Sequence, residues 1–154
     1  MTRGSYQHDF GDTVGMTPLV KMHTLGHDFI PDPIHAGGLR YHGMAPLVSL
    51  LKEEGIIDAE SLHQTETFRR AVQFARAEGI IPGPEPAHAV ASAMMEAERA
   101  KEAGEEKVIV FNLSGHGHFD MAAYQEYFGG TLTDYEYPEE RVAAAMERVP
   151  VVSS

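Results

Sequence analysis

Six residues, Val108 to Leu113, read as a buried strand and run directly into Ser114-Gly115-His116-Gly117. Its core, Val108 to Phe111, is apolar at consecutive positions, so both faces of a strand there need cover. A parallel sheet flanked by helices supplies that cover, whereas an antiparallel sheet with one wet face does not. In open sheets of this kind ligands gather beyond the carboxyl ends of the strands, which is where Ser114 falls. Gly115 and Gly117 allow the backbone to approach a ligand closely. The run therefore predicts an α/β fold with a parallel sheet and nominates the turn after it as a binding corner. It does not supply a complete active site.

The remainder of the chain fits α/β logic from residue 46 onward. Pro46 suits a helix start, Leu47, Leu50 and Leu51 share one face, and Gly55 is a natural stop. A short strand is weakly marked over Ser61 to Gln64. Thr65 is a candidate cap for a helix with Phe68, Ala71, Val72 and Ala75 inward and Glu66–Arg70 outside as an i,i+4 pair. Ile80 to Pro86 reads as a stiff turn before a helix from about His88 to Ala103, with Val90, Ala93, Met94 and Ala97 inward. Further helices are predicted over Phe119 to Tyr127 and Pro138 to Met146. Residues 1–45 differ: only Thr17 to Thr24 looks like a strand, and Asp28 to Gly38 is punctuated by proline and glycine. The expected organisation is a loop-rich segment over 1–45, an α/β body over 46–128 and a C-terminal helix and tail over 129–154.

Charge narrows the partners. Twelve basic against 23 acidic residues give a formal net charge of -11, which argues against nucleic acid and anionic membranes. Without cysteine there is no disulfide framework and no thiolate metal site. No apolar stretch approaches membrane-spanning length and the first residues lack a signal-peptide core, so a cytoplasmic protein is expected.

Taken alone, the chemistry-bearing residues are ambiguous. His116-Gly-His118-Phe-Asp120 resembles part of the His-x-His-x-Asp-His cluster of metallo-β-lactamase-like hydrolases. Met121 stands where the last histidine would, however, and no histidine follows His118 to complete a shell. A nucleophile elbow needs small residues two positions either side of the serine; Asn112 and His116 flank Ser114 instead. Ser-Gly-His-Gly is equally a tight strand-ending turn. Glu85 reads as an acid at a helix start, and His88, one turn on, as a satisfied half-buried histidine.

Three longer segments break that tie. They are Thr24-Leu-Gly-His-Asp-Phe-Ile-Pro through Ile34-His-Ala-Gly-Gly-Leu-Arg-Tyr-His-Gly43, then Ala77-Glu-Gly-Ile-Ile-Pro-Gly-Pro-Glu-Pro-Ala-His-Ala89, and Glu106-Lys-Val-Ile-Val-Phe-Asn-Leu-Ser-Gly-His-Gly117. In order and spacing they resemble the C-terminal third of a tryptophan synthase β chain of the second, longer type. The resemblance implies a fold-type II pyridoxal phosphate (PLP) enzyme, with the cofactor between two α/β domains, that condenses L-serine with indole by β-replacement. It implies that Ser114 meets the pyridine nitrogen, with Gly115 beside it, that Glu85 lines the cofactor pocket and that Gly38 lies against the ring. It also implies that the carbonyls of Tyr41 and Gly43 help hold a monovalent cation.

The chain departs from the family in telling ways. Arg40 stands where the standard type has aspartate, which places a cation near the substrate and makes a phosphorylated serine a candidate donor. His116 and His118 replace Arg and Asp, so coupling to an α subunit is not assumed. Lys21, Lys52, Lys101 and Lys107 match no Schiff-base lysine, and no glycine-rich phosphate cup is present. No catalytic residue is therefore expected here: the chain alone should be inactive, completed by an N-terminal half or second polypeptide, and dimeric when complete. A binding or scaffold domain that kept the fold and lost catalysis is the contrasting expectation.

Overall fold

The computed structural model describes residues 1–152, which form two compact units. The first gathers Met1–Pro33, Arg40–Ser61 and the described residues from Glu136 on; the second gathers Ile34–Leu39 and Leu62–Tyr135.

In the first unit, β1 (Ser5–Asp9) pairs antiparallel with β2 (Val20–Thr24), in register from Ser5 opposite Thr24 to Asp9 opposite Val20. The strand expected over Thr17 to Thr24 thus begins at Val20, and β1 was not foreseen. Between the strands, the Thr17 side chain and then the backbone N–H groups of Thr17, Met16 and Val14 hydrogen-bond the Asp12 carboxylate and hold it well below the usual carboxylate range. Asp9 is fully buried and satisfied by the Thr24 hydroxyl at 2.6 Å, the Phe10 amide at 2.8 Å and His27 Nδ1 at 2.8 Å. α1 (Pro46–Glu53) packs on β2 through Ser49, whose Oγ accepts the His23 amide at 3.0 Å. Its leucines are not the buried face: Leu47, Leu50 and Leu51 are exposed. α5 (Glu139–Met146) lies against Gly26, whose φ of +99° requires glycine and where a Cβ would sit 2.7 Å from the Ala145 carbonyl oxygen.

The second unit is helical. A 3₁₀ turn (Gly37–Leu39) precedes α2 (Gln64–Glu78), α3 (Pro84–Ala103) and α4 (Met121–Phe128). Its core joins Phe68 and Ala71 of α2, Ala87 of α3, and Ala123 and Tyr124 of α4, with Phe68 edge-on to Tyr124 at 5.0 Å. α2 and α3 end on Gly79 and Gly104, both left-handed, as the glycine punctuation predicts. α3 starts earlier than expected, because Pro84 and Pro86 fall in a first turn that needs no amide hydrogens. Its buried stripe is Ala87, Val90, Ala91 and Ala100; Ala93 and Met94 are half-buried and Ala97 is exposed. Thr65 is not a cap: it lies inside α2, with its hydroxyl on Asp134 at 2.6 Å. Arg70 is buried rather than outward, reaching Glu66 at 2.8 Å and Glu98 of α3 at 2.8 Å.

Two strand expectations are corrected. Ser61 to His63 is irregular and leads into α2. Val108 to Phe111 has no regular secondary structure and no sheet partner among the described residues; Val108 is 94% and Val110 89% exposed. A strand exists only where neighbours satisfy its amides and carbonyls, and the sole sheet among the described residues is the β1–β2 pair. No helix among them is long and apolar enough to cross a membrane.

The hydrogen bonds from Arg69, followed by those from Arg70, hold the Glu66 carboxyl down to about 2 from its ordinary 4.5. The folded-state value is the lower one, so this contribution is complete above about pH 4.5 and is lost as pH falls toward 2. Chemical denaturation across that window should show Glu66→Gln less pH-dependent than the parent.

Candidate functional site

Three separate stretches of the second unit converge at the start of α3. Gly117 donates its amide to the Ile81 carbonyl at 2.8 Å, and His116 and Pro82 form an isolated antiparallel bridge, which fixes the turn after the Val108 run beside the turn before α3. Contact here is too close for any side chain at 117: a Cβ would lie 2.6 Å from the Pro82 oxygen and 2.9 Å from Ile81 Cγ2. Tyr124 of α4 braces the corner by donating its hydroxyl to the Pro82 carbonyl at 2.6 Å, and burial, aided by Asp120, pushes its phenol up to about 12. A Cβ on Gly115 would meet only Pro86, at 3.9 Å.

The third stretch is Ile34–Leu39. The Gly38 amide donates to Glu85 Oε1 at 3.3 Å, and Glu85 occupies the first turn of α3, where the helix dipole favours an acid. His35 ties the same stretch down twice. Its amide donates to Gln64 Oε1 at 3.2 Å, and its ring Nε2 meets Glu126 at 2.9 Å.

Of the residues nominated from sequence, Gly38, Glu85, Ser114 and Gly115 thus belong to one unit, Gly38 and Glu85 in direct contact and Gly115 near Pro86 beside Glu85. Ser114 is exposed, and no atom lies within 4 Å of where a Cβ on Gly38 would be. Arg40, Tyr41 and Gly43 belong to the other unit. There Tyr41 donates its hydroxyl to the Gly11 carbonyl at 2.6 Å, and Gly43 is bridged to Thr24. His88 is satisfied by the Pro84 carbonyl at 2.8 Å. His116 and His118 stack with centroids 4.6 Å apart, yet no group of three metal-binding side chains occurs among the described residues. Sequence reasoning missed Tyr124, His35, Gln64 and Glu126; none stands in a local pattern, and each acts on a residue more than 25 positions away. A cavity of about 510 Å³ lies elsewhere in this unit, lined by Arg69, Val72, Gln73, Arg76, Tyr127 and Phe128, and includes none of the nominated residues.

Gly117→Ala should cost about 1–3 kcal/mol in urea denaturation, because its methyl meets rigid backbone. Gly115→Ala, with open space beside it, should stay within about 0.5 kcal/mol of the parent.

No protein-family model matches the chain. It is 64% identical over 134 residues to "Tryptophan synthase beta chain 2" of Aquifex aeolicus, covering 87% of this chain and 31% of that protein. To the protein of the same name from Methanosarcina mazei it is 62% identical over 132 residues, 86% of this chain and 30% of the other. To "Tryptophan synthase beta chain" of Thermococcus onnurineus it is 56% identical over 140 residues, 91% and 31% respectively. The chain therefore matches tryptophan synthase β chains over about 31% of their length, consistent with a C-terminal portion.

Proposed function

We propose that this chain is the part of a tryptophan synthase β-type lyase that meets the ring nitrogen of pyridoxal phosphate, and that it works only with the remaining two thirds of the enzyme. The observation that carries this reading is the convergence of Gly38, Glu85 and the Ser114-Gly115 turn at the start of α3. The donor set fits the cofactor: two glycines with open space beside them, an exposed hydroxyl and one carboxylate. Ser114 would hold the pyridine nitrogen, Gly38 and Gly115 would admit the ring, and Glu85 would line the pocket.

When bound, the cofactor supplies the electron sink that labilises the donor's Cα proton and lets the Cβ substituent depart. Ser114 offers a neutral hydroxyl, which does not force the ring nitrogen to be protonated. That keeps the sink moderate and favours replacement at Cβ over transamination. In the overall reaction the Cβ–oxygen bond of the donor breaks and a Cβ–C3 bond to indole forms, with water leaving from serine or inorganic phosphate from phosphoserine.

Arg40 supports the phosphorylated donor, since guanidinium matches phosphate geometry and charge. Among the described residues neither the Tyr41 nor the Gly43 carbonyl accepts a hydrogen bond, which suits both to a monovalent cation. The lysine and the phosphate cup belong to the other portion. Lys107, the lysine nearest in sequence to Ser114, is committed to Glu105 and Glu96. In that complete enzyme Val108 to Phe111 is a strand of a parallel sheet of the fold-type II kind, and the enzyme is a cytoplasmic homodimer.

Mixing the chain with the remaining two thirds and pyridoxal phosphate should produce an absorbance band of the lysine-bound cofactor and then tryptophan from indole and either donor. The chain alone should give neither; a borohydride-trappable yellow species formed by it alone would sink the reading. In the reconstituted enzyme Ser114→Asp should lower β-replacement about tenfold and raise keto-acid release, followed by product analysis.

A further inference from the structure

Within the first unit, Asp28 to Asp32 and Arg40 are organised by charges from the C-terminal segment. Arg40 Nη1 donates to the main-chain carbonyl of Asp32 at 3.0 Å, and Arg40 Nε is buried without a partner. The Asp32 carboxylate is engaged by another cation: Arg141 of α5 reaches its Oδ2 at 2.7 Å. The second nitrogen of Arg141 donates to the Ile30 carbonyl at 3.2 Å, and its guanidinium lies over the Phe29 ring, 5.8 Å from the centroid. The other acid of this loop, Asp28, is taken in the same way by Arg148 at 2.8 Å.

Tyr137 reports that these charges share one neighbourhood. It stacks edge-on with Phe29 at 5.3 Å. Burial lifts its phenol above the ordinary value, Arg40 and Arg141 oppose that, and Asp32 adds to it. Two guanidiniums therefore meet at one aspartate, Arg40 on its main-chain carbonyl and Arg141 on its carboxylate.

That division matters for chemistry. A guanidinium forked on a carboxylate is neutralised, whereas one anchored on a carbonyl is held in place and keeps its charge. A buried N–H left unpaired is also costly, so the Arg40 Nε favours an incoming anionic oxygen.

We propose, resting on the phosphorylated-donor reading above, that Arg141 is a positioning residue for specificity. It holds the Asp32 carboxylate away from Arg40, so that the Arg40 guanidinium keeps an uncompensated charge for the phosphate of the amino-acid donor. Without Arg141 the freed carboxylate would turn to Arg40 and cancel that charge.

The test is kcat/KM for O-phospho-L-serine and for L-serine in the complete enzyme, compared as a ratio. Arg141→Gln should lower the phosphoserine-to-serine ratio about tenfold, mainly through a higher KM for phosphoserine. Arg141→Lys, which retains the cation, should keep most of the preference. Adding Asp32→Asn to Arg141→Gln should restore it, because no carboxylate remains to compete. A merely structural clamp would not be rescued in this way. Binding of inorganic phosphate, followed by ³¹P line broadening, should rank the variants in the same order without turnover.

An unchanged ratio in Arg141→Gln, or no recovery in the double variant, would overturn the proposal. Should Arg141→Gln fail to fold, Asp32→Asn alone is expected to hold or raise the ratio, and a fall would overturn it. A parent enzyme that prefers serine would instead show that the phosphorylated-donor reading itself is wrong, before Arg141 is changed.

Discussion

The hydrogen bond from the Gly117 amide to the Ile81 carbonyl, 2.8 Å long, decides where the Ser114 turn sits. It joins two stretches more than 30 residues apart and leaves no room for a Cβ at 117. Everything at the corner follows from that contact. Tyr124 of α4 donates to the Pro82 carbonyl at the same corner, and Gly115 lies beside Pro86. Glu85 then projects from the first turn of α3, where the dipole stabilises its charge, and the Gly38 amide closes on it. A corner built this way needs glycine at position 117 and proline at a helix start.

What could be read in the sequence was local. The helices α2 to α4 were visible because apolar periodicity and glycine stops are properties of a few neighbouring residues, and Gly79 and Gly104 adopt the left-handed conformation that ends them. β1 was invisible because Ser-Tyr-Gln-His-Asp has no apolar alternation. Its register is held instead by Lys21 over the Tyr6 ring and by Tyr6 against His23, contacts that exist only once β2 is alongside. The Glu66–Arg70 pair was legible as an i,i+4 spacing, but its burial depends on Glu98, 28 residues on, and no local pattern carries that. The same limit applies to the site. Gly38 and Glu85 are 47 residues apart, and only the family resemblance nominated both; the structure shows the Gly38 amide on Glu85. α1 shows the reverse failure: its leucine face reads as core, yet Ser49 is the buried residue and the leucines face out.

The bareness of the Val108 run has a physical cause. A segment that is apolar on both faces is stable as a strand only between neighbours and under helices, and no described residue of this chain provides them. Fully burying a valine or phenylalanine contributes about 1.5–3 kcal/mol relative to leaving it exposed. On the reading proposed here, cover for the exposed Val108 and Val110 would contribute about 3–6 kcal/mol to association with the remaining portion.

Strand and site are coupled as well. Ser114 stands three residues beyond Phe111, so on the reading proposed here a strand that pairs at Val108 to Phe111 would set the direction of the Ser114 hydroxyl. The Gly117 end of the turn is held by the Ile81 hydrogen bond; before Ser114, Phe111 lies edge-on to Phe74 at 5.9 Å and Lys107 meets Glu96 at 3.2 Å, with no sheet partner among the described residues. On the reading proposed here, the portion that brings the lysine and the phosphate cup also pairs with this strand. The same association that completes the chemistry would thus lock the group that tunes it.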